Sequence, residues 1–502
     1  MPPVTTELPV DGSSVTTIDR FGDSRGYFNE LYNVQKYDES LHKEWKQVSF
    51  SSSQKHALRG LHCSPHGKFI TCVRGAFYDV IADFREDSPT FGRWCGVLLT
   101  EHNKKQVYVP PNCGHGFFTL EDNTCALYLQ EGCFNPANEK DNHPLDPMFD
   151  VQWPIPKGIT PEMSGKDIAA PYLNVRRPHL TGMKPRGRIL IIGASGQVGG
   201  ALMEAFGPEN CVGTYTNTKI KGMVQFDMAK CATNPQLATD LIETIYPTAV
   251  LICAGFTWVD GCESDQLKAN YMNNAGPAAV ARAAAKVGAR TVWYSTDYVF
   301  DGGFQQGAAT SGKGPYSETD LVAPLNIYGA SKLEGERSLL AADPTALAIR
   351  TNVVYGPEGV GKNFVYQLVR KLSSGDAMNV PCDQVNTPTY NRDLAAATKM
   401  LLESGASGLY NIGGSEVLAR TDFGHAVVDA LNARPGATAK PLDKALIKPV
   451  TTSNAGQAAL RPLDSGLKLD KLSAALPGWK PRTVKQAIDD WLDNPMGLPL
   501  GQ

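Results

Sequence analysis

The sequence predicts two folds in series: an all-β module, then an α/β module built on a doubly wound parallel sheet. Three observations carry that reading. Short runs with period-two patterning, separated by turn clusters, crowd the first third of the chain. A polar stretch with Pro and Gly, 176–187, then interrupts the pattern. Beyond it, apolar strands alternate with helical stretches, and the first of those strands runs into a glycine-rich turn.

At 502 residues the chain is too long for one ordinary domain. Hydrophobic residues at 42% and charged residues at 20% exclude a disordered chain. Lys and Arg number 48 against 51 Asp and Glu, a net charge of −3, with no basic stripe. That argues against a nucleic-acid partner or an anionic membrane surface. The start, Met1-Pro2-Pro3-Val4-Thr5-Thr6-Glu7, has neither the basic nor the apolar region of a leader, and no run approaches the roughly 18 apolar residues of a membrane span. The 11 Cys lack any CxxC pair, and Cys72 and Cys253 sit in apolar runs. They read as reduced thiols of a cytoplasmic protein.

In the first module, Val73–Arg85 puts Ala76, Tyr78, Val80, Ala82 and Phe84 on one face and Asp79, Asp83 and Arg85 on the other, the alternation of a strand. Further strands are expected at Ala57–Leu61, Gly96–Thr100, Gln106–Pro110, Gly116–Leu120 and Ala126–Gln130, with turns at Asp87-Ser88-Pro89 and Pro110-Pro111-Asn112. So many short strands with few helices suggest a barrel or sandwich. The boundaries expected are 1–180 for this module, 181–187 for a linker and 188–502 for the α/β module. There, strands are expected at Arg188–Ile192, Val212–Asn217, Thr248–Cys253, Thr291–Ser295 and Leu347–Arg350, and helices at Ala201–Phe206 and Ala275–Val287.

The α/β module carries a nucleotide signal. Gly193-Ala194-Ser195-Gly196-Gln197-Val198-Gly199 follows a strand and opens a helix. Gly193, Gly196 and Gly199 would let backbone approach a pyrophosphate, and Ser195, Gln197 and Val198 would offer the N–H groups of a helix N-terminus. A tight turn without a ligand is the bland alternative; the strand–turn–helix context disfavours it. No Asp or Glu closes the second strand at Val212–Asn217, where one would bind the ribose hydroxyls of NADH; Lys219 and Lys221 follow instead. The expected cofactor is NADPH, with NADH as the alternative. Tyr328 and Lys332, at i and i+4, share a helix face, and a nearby ammonium would lower the phenol's pKa toward the working range. Such a Tyr can protonate a carbonyl oxygen that receives hydride. Ser295-Thr296-Asp297 ends a strand, where sheet ligands bind.

These residues resemble an extended short-chain dehydrogenase/reductase, and residues 187–502 look like the dTDP-4-dehydrorhamnose reductase family. The matching stretches are Ser295 to Gly302, Pro324 to Lys332, Asp383-Gln384 with Thr387 to Tyr390, and Arg461-Pro462. The resemblance implies a Rossmann fold with a small C-terminal substrate-binding lobe and a catalytic set of Thr296, Tyr328 and Lys332. It also implies a cofactor lining that adds Asp227, Met228, Ala254, Gly255, Thr257 and Asn273, and Asp383, Gln384 and Arg461 on the sugar-nucleotide side. The chain departs from the family at Val353, where a Trp is usual, and at Ala254-Gly255, where Ala-Ala is usual.

The first module has its own constellation: His62 in Arg59-Gly60-Leu61-His62, then Lys68, His115, Tyr128 and Asp167. A His beside a carboxylate is fixed in one tautomer and made more basic. A Lys can stabilise an enolate oxygen and a Tyr can return a proton. Together these groups suit epimerisation beside a ketone; taken singly, His62 suits a structural role and Tyr128 a core position. Residues 8–175 resemble the dTDP-4-dehydrorhamnose 3,5-epimerase family, a cupin-type double-stranded β-helix (jelly roll). The stretches are Phe21 to Phe28, Leu58 to His62, Asp79-Val80 through Asp83-Phe84-Arg85, Ser88 to Gly92, Gly114 to Phe117, Trp153-Pro154, and Lys166-Asp167 before Ala169-Ala170-Pro171. The resemblance implies His62 as base, Asp167 as its partner, Tyr128 as acid and Lys68 as enolate stabiliser. Arg25, Glu30, Gln47, Arg59 and His115 would contact the sugar nucleotide. Here the departures are a short loop from His62 to Lys68, Cys63-Ser64 after the His, and Ser49 where an Asn is usual. His62, His66 and His115 raise a metal reading, but the close HxH and Glu of metal cupins are missing, so no metal is expected.

The two halves are expected to act in sequence on a nucleotide-linked 4-keto-6-deoxyhexose. The first would invert C3 and C5; the second would reduce C4 with NADPH, giving a nucleotide-L-rhamnose. The nucleotide is expected to be dTDP, with UDP as the alternative. A silent NADP-binding regulatory subunit is the reading from another class. The chain is expected to form a homodimer through its cupin domain.

Overall fold

The computed structural model describes residues 3–304 and 312–495. In the N-terminal part, two antiparallel sheets face each other. The larger has six strands, in the order Val4–Glu7, Ser14–Thr17, Lys105–Val109, Lys68–Arg74, Thr124–Gln130 and Gln47–Ser53. The smaller has four: Leu58–Cys63, Cys113–Thr119, Ala76–Asp83 and Trp94–Thr100. Ile70, Phe77, Ile81, Cys95, Val107 and Phe117 fill the space between them. The outer face of the smaller sheet is covered by the later segment carrying Met148, Phe149, Trp153 and Leu173.

The run expected as one strand, Val73–Arg85, is two. Gly75 breaks it at φ 73°, and a Cβ there would lie 2.6 Å from Thr124 Oγ1. Lys68–Arg74 therefore belongs to one sheet and Ala76–Asp83 to the other. The expected polar face is not solvated either: Asp79 and Asp83 are buried, held by His115 and by Arg85.

The C-terminal part is built on a seven-stranded parallel sheet. Its order is Val224–Gln225, Cys211–Tyr215, Ile189–Ile192, Ala249–Ile252, Arg290–Thr296, Leu347–Thr351 and Gly408–Asn411. Core clusters on both faces confirm the doubly wound reading: Ile242, Val280 and Trp293 on one, Leu202, Tyr294 and Leu394 on the other. The Ala-rich helix runs Gly276–Lys286 and is preceded by a π-turn, Tyr271–Ala275. A further core gathers Val365, Leu368, Phe423, Val427, Ile488 and Trp491, from helices Phe364–Ser373, Arg420–Asn432 and Val484–Asp493.

The two parts dock on each other. Helix Gln236–Ile245 packs against strand Trp94–Thr100. Across this contact Tyr78 Oη donates to the Glu243 carbonyl at 2.7 Å, Arg93 to that of Pro208 at 2.6 Å, and Lys105 pairs with Asp240 at 2.9 Å. Among the described residues no helix is long and apolar enough to cross a membrane.

Candidate active sites

The first site lies at the mouth between the two N-terminal sheets. Strand register brings it together: His115 sits directly opposite His62, and Phe117 opposite Arg59. Such close approach needs glycine. Gly60 has φ 106°, and a Cβ on it would fall 2.4 Å from the His115 carbonyl oxygen. The resulting cavity, about 400 Å³, is lined by Gln47, Arg59, His62, Lys68, His115 and Tyr128 among others.

Asp167 stands behind His62, its Oδ1 2.7 Å from the ring Nε2. Ser164 holds the carboxylate. Its hydroxyl donates to Asp167 Oδ2 at 2.9 Å and accepts from the Asp167 N–H, capping the short helix Gly165–Ala169. Burial pushes the Asp167 pKa up, but hydrogen bonds from His62 and Ser164 outweigh it, and the group is held below the usual carboxylate range. His62 keeps 31% of its side chain exposed against 4% for Asp167, so the base reaches the cavity while its partner stays behind it.

Tyr128 bonds to Ser51 at 3.1 Å, and burial pushes its phenol up to about 12. It is thus protonated at neutral pH, as a proton donor must be. Burial also lowers the Lys68 pKa. His115 is bound to Asp79 at 2.7 Å, fully inside; burial raises the pKa of Asp79 against the pull of His115.

Arg25 and Glu30 are not brought to this cavity. Arg25 lies on the exposed hairpin Arg20–Asp23/Gly26–Asn29, paired to Asp23 at 2.6 Å, and Glu30 is taken by Lys36 and Asn33. Short-range partners on their own segment hold both. Sequence reasoning gives Ser51, Ser164 and Asp79 no role. An Asp in an otherwise apolar strand was the available signal for Asp79.

The second site lies at the carboxyl ends of the parallel strands. Gly193, at φ 86°, faces Ala254, whose nitrogen would lie 2.7 Å from an added Cβ; a Cβ on Gly199 would fall 2.3 Å from the Gly193 carbonyl oxygen. Gly196 caps helix Gln197–Phe206. The N–H of Gly193 donates to Thr214 Oγ1, tying the turn to the second strand. This cradle fits a dinucleotide pyrophosphate.

Asn273, fully buried in the π-turn, exchanges hydrogen bonds with the backbone of Phe256 and donates to Ser331 at 3.0 Å. It joins the loop holding Ala254, Gly255 and Thr257 to helix Ile327–Ala342. Gly255 leaves room for this, since a Cβ would lie 3.1 Å from Lys332 Nζ. Arg350 and Glu336 lock the same helix to the sheet through a buried bidentate pair at 2.9 and 2.8 Å.

Tyr328 and Lys332 lie on that helix, but the expected coupling between them is not seen. Lys332 Nζ donates to the Tyr294 carbonyl at 2.9 Å and sits 3.8 Å from the Trp293 ring. Burial lowers its pKa to about 7. Burial raises the Tyr328 phenol, and it is hydrogen bonding with Thr296, not Lys332, that pulls the other way. Thr296 in turn donates to Asp297 at 3.1 Å. Asp297 is fully buried, held by Ser465 at 2.6 Å with Asn386 and Asn352 further out, and burial pushes its pKa up to about 6. Asp297, and Arg420 whose charge acts on it, are site residues that sequence reasoning left without a role.

The remaining candidates are engaged with neighbouring residues. The side chain of Asp227 accepts from the Ala229 N–H and so caps the turn that begins at Met228. Asp383 is bound by Thr452, Gln384 by Thr452 and Gln457, and Arg461 by Asp260 at 2.9 Å. These contacts join residues 383–384 and 452–461 into one wall beside the strand ends. Among the described residues no group of three or more His, Cys, Asp or Glu is placed to hold a metal.

Comparison with known proteins assigns the two parts separately. Residues 7–174 match a family model described as dTDP-4-dehydrorhamnose 3,5-epimerase, and residues 187–496 one described as RmlD substrate binding domain. A dTDP-4-dehydrorhamnose 3,5-epimerase of Salmonella typhimurium is 39% identical over 160 residues, 31% of this chain and 86% of that protein. A dTDP-4-dehydrorhamnose reductase of Aggregatibacter actinomycetemcomitans is 32% identical over 308 residues, 60% of this chain and 97% of that protein. The crystal structure of a Bacillus anthracis dTDP-4-dehydrorhamnose reductase in complex with NADP superposes with a TM-score of 0.51 at 28% identity, covering 61% of this chain and 99% of that one.

Proposed function

We propose the function from one premise: the chain belongs to the dTDP-4-dehydrorhamnose 3,5-epimerase family over residues 7–174 and to the RmlD substrate-binding-domain family over residues 187–496. It is a bifunctional enzyme of nucleotide-rhamnose synthesis, an isomerase and an NADPH-dependent oxidoreductase. The substrate is dTDP-4-dehydro-6-deoxy-D-glucose, and no observation favours the UDP sugar over it. Functionally the chain divides into a cupin-type module, 1–180, a linker, 181–187, and a Rossmann module, 188–502, whose C-terminal lobe binds the sugar.

The His62–Asp167 pair facing Tyr128 and Lys68 carries the epimerase reading. His62 removes the protons at C3 and C5, both acidified by the C4 ketone. Lys68 stabilises the enolate oxygen. Tyr128, protonated at working pH, returns a proton from the other face. Gln47, Arg59 and His115 line the cavity and orient the sugar nucleotide.

In the second module, Gly193 to Gly199 would hold the pyrophosphate, and the loops at Asp227-Met228 and Ala254–Thr257 with Asn273 the rest of the cofactor. When bound, the nicotinamide supplies hydride to C4. Tyr328 delivers the proton to the resulting C4 oxygen, Thr296 hydrogen-bonds that oxygen, and Lys332 orients the cofactor ribose. Asp383, Gln384 and Arg461 form the sugar-nucleotide wall.

The chain acts as a cytoplasmic homodimer joined through the first module. Supporting this, Gln47–Ser53 is an edge strand of its sheet, and it exposes Val48 and Phe50. Light scattering on Phe50→Asp should show monomer where the unaltered chain shows dimer.

The roles are tested by two variants of the full chain. His62→Ala should abolish solvent deuterium uptake at C3 and C5; retained uptake would remove its role as base. Tyr328→Phe should keep that uptake and lose NADPH oxidation by about 10³-fold or more. Surviving turnover would place the proton donor elsewhere.

A further inference from the structure

The second strand of the parallel sheet, Cys211–Tyr215, ends beside the glycine turn, because Gly193 and Ala194 donate to Thr214 Oγ1 and Thr214 O at 3.1 Å each. In a dinucleotide fold the adenosine ribose sits at that strand end. The residues leaving it, Thr216, Asn217 and Lys219, are therefore those nearest the ribose 2′ position, and they include no carboxylate of their own.

A carboxylate reaches this loop from the other module. Strand Val4–Glu7 packs against the edge strand Val224–Gln225, and Glu7 Oε1 lies 2.6 Å from Lys219 Nζ, a partner 212 residues away in sequence. A cleft of about 590 Å³ opens beside this ion pair. Glu7, Val4 and Leu8 line it from one module, and Thr216, Asn217 and Asp227 from the other. Lys219, a cation of the loop that would receive a 2′-phosphate, is thus already paired by the first module.

We propose that Glu7 of the epimerase module is a specificity element of the reductase's cofactor site, setting how strongly Lys219 can attract the 2′-phosphate of NADPH. The proposal rests on the NADPH reading of the second module. A 2′-phosphate brought to this loop meets Lys219 as an attractive charge and Glu7 as a repulsive one. NADH carries no group there and responds to neither. Both side chains are more than half exposed, so the effect is moderate and sensitive to salt.

The test is a titration of the full chain with NADPH and with NADH, followed by nicotinamide fluorescence, for the unaltered chain, Glu7→Gln, Lys219→Ala and the double variant. Glu7→Gln should tighten NADPH about three- to tenfold at low salt, and the gain should shrink toward nothing near 1 M salt. Lys219→Ala should weaken NADPH by a similar factor and cancel most of the Glu7→Gln gain in the double variant. NADH affinity should stay constant throughout. Unchanged NADPH affinity in Glu7→Gln would overturn the proposal and leave the reductase reading standing. Equal changes for both cofactors would also overturn it, since a loosened module contact moves both. An unaltered chain that fails to bind NADPH would defeat the reductase reading itself, and the proposal with it.

Discussion

The two sites place a tyrosine differently although both leave it half-buried. Tyr128 faces a cavity whose histidines are each bound to a carboxylate, His62 to Asp167 and His115 to Asp79, both at 2.7 Å. Tyr328 lies on a helix beside a lysine whose ammonium is directed to a backbone carbonyl and an indole ring. The first site is assembled mostly from cross-strand neighbours: one sheet's register aligns Arg59, His62 and His115, the other's aligns Gln47, Lys68 and Tyr128, and a short helix adds Asp167. The second is assembled from strand ends, a helix and loops far apart in sequence, and buried pairs such as Arg350–Glu336 and the Asn273 bonds hold it in place. Register aligns the strand residues of the first site directly, whereas a site made from separate loops needs locked joints throughout.

That contrast can be broken by mutation. The largest effect after the two variants already named should come from Asp167→Asn. It keeps the shape but removes the charge that sets the His62 tautomer, and deuterium uptake should fall about 100-fold while the reductase step on pre-epimerised sugar is unaffected. Equal loss in both assays would mean general unfolding.

The next effect concerns stability. The Asp297 pKa is raised to about 6 in the folded chain against 3.8 in its absence. The folded state therefore holds an extra proton between those values, and stability falls as pH rises through that window. The loss should be on the order of 3 kcal/mol, and Asp297→Asn should remove it. Urea midpoints at pH 4 and pH 7 check this. An identical pH dependence in both proteins would show that Asp297 is not the group responsible.

The smallest effect is expected at Val353, a β-branched residue at φ 41° beside Asn352. Val353→Asn should raise stability by about 1 kcal/mol by relieving left-handed strain. A lower melting temperature would mean that its packing outweighs the strain.

Much of this was legible in the sequence, for identifiable reasons. The strands of the second module declare themselves because both faces are buried, leaving apolar runs such as Leu190 to Ile192. The early strands Val4–Glu7, Ser14–Thr17 and Gln47–Ser53 do not: they are rich in Ser and Thr and carry little apolar alternation. The glycine turn was readable because its spacing is local. The convergence of His62 with Asp167, 105 residues away, was not, although family resemblance named both residues. Resemblance also named Arg25 and Glu30, which this chain keeps outside its own cavity. Asp79 and Asp297 stayed hidden because a buried charge looks the same in sequence as a solvated one.

The central claim is that one chain carries out both reactions in order. It is tested most directly by supplying dTDP-4-keto-6-deoxyglucose and NADPH in deuterated water and following absorbance and product mass together. The account predicts two solvent deuterons in every reduced product, with uptake preceding oxidation. Oxidation that yields a product without solvent deuterium would contradict it.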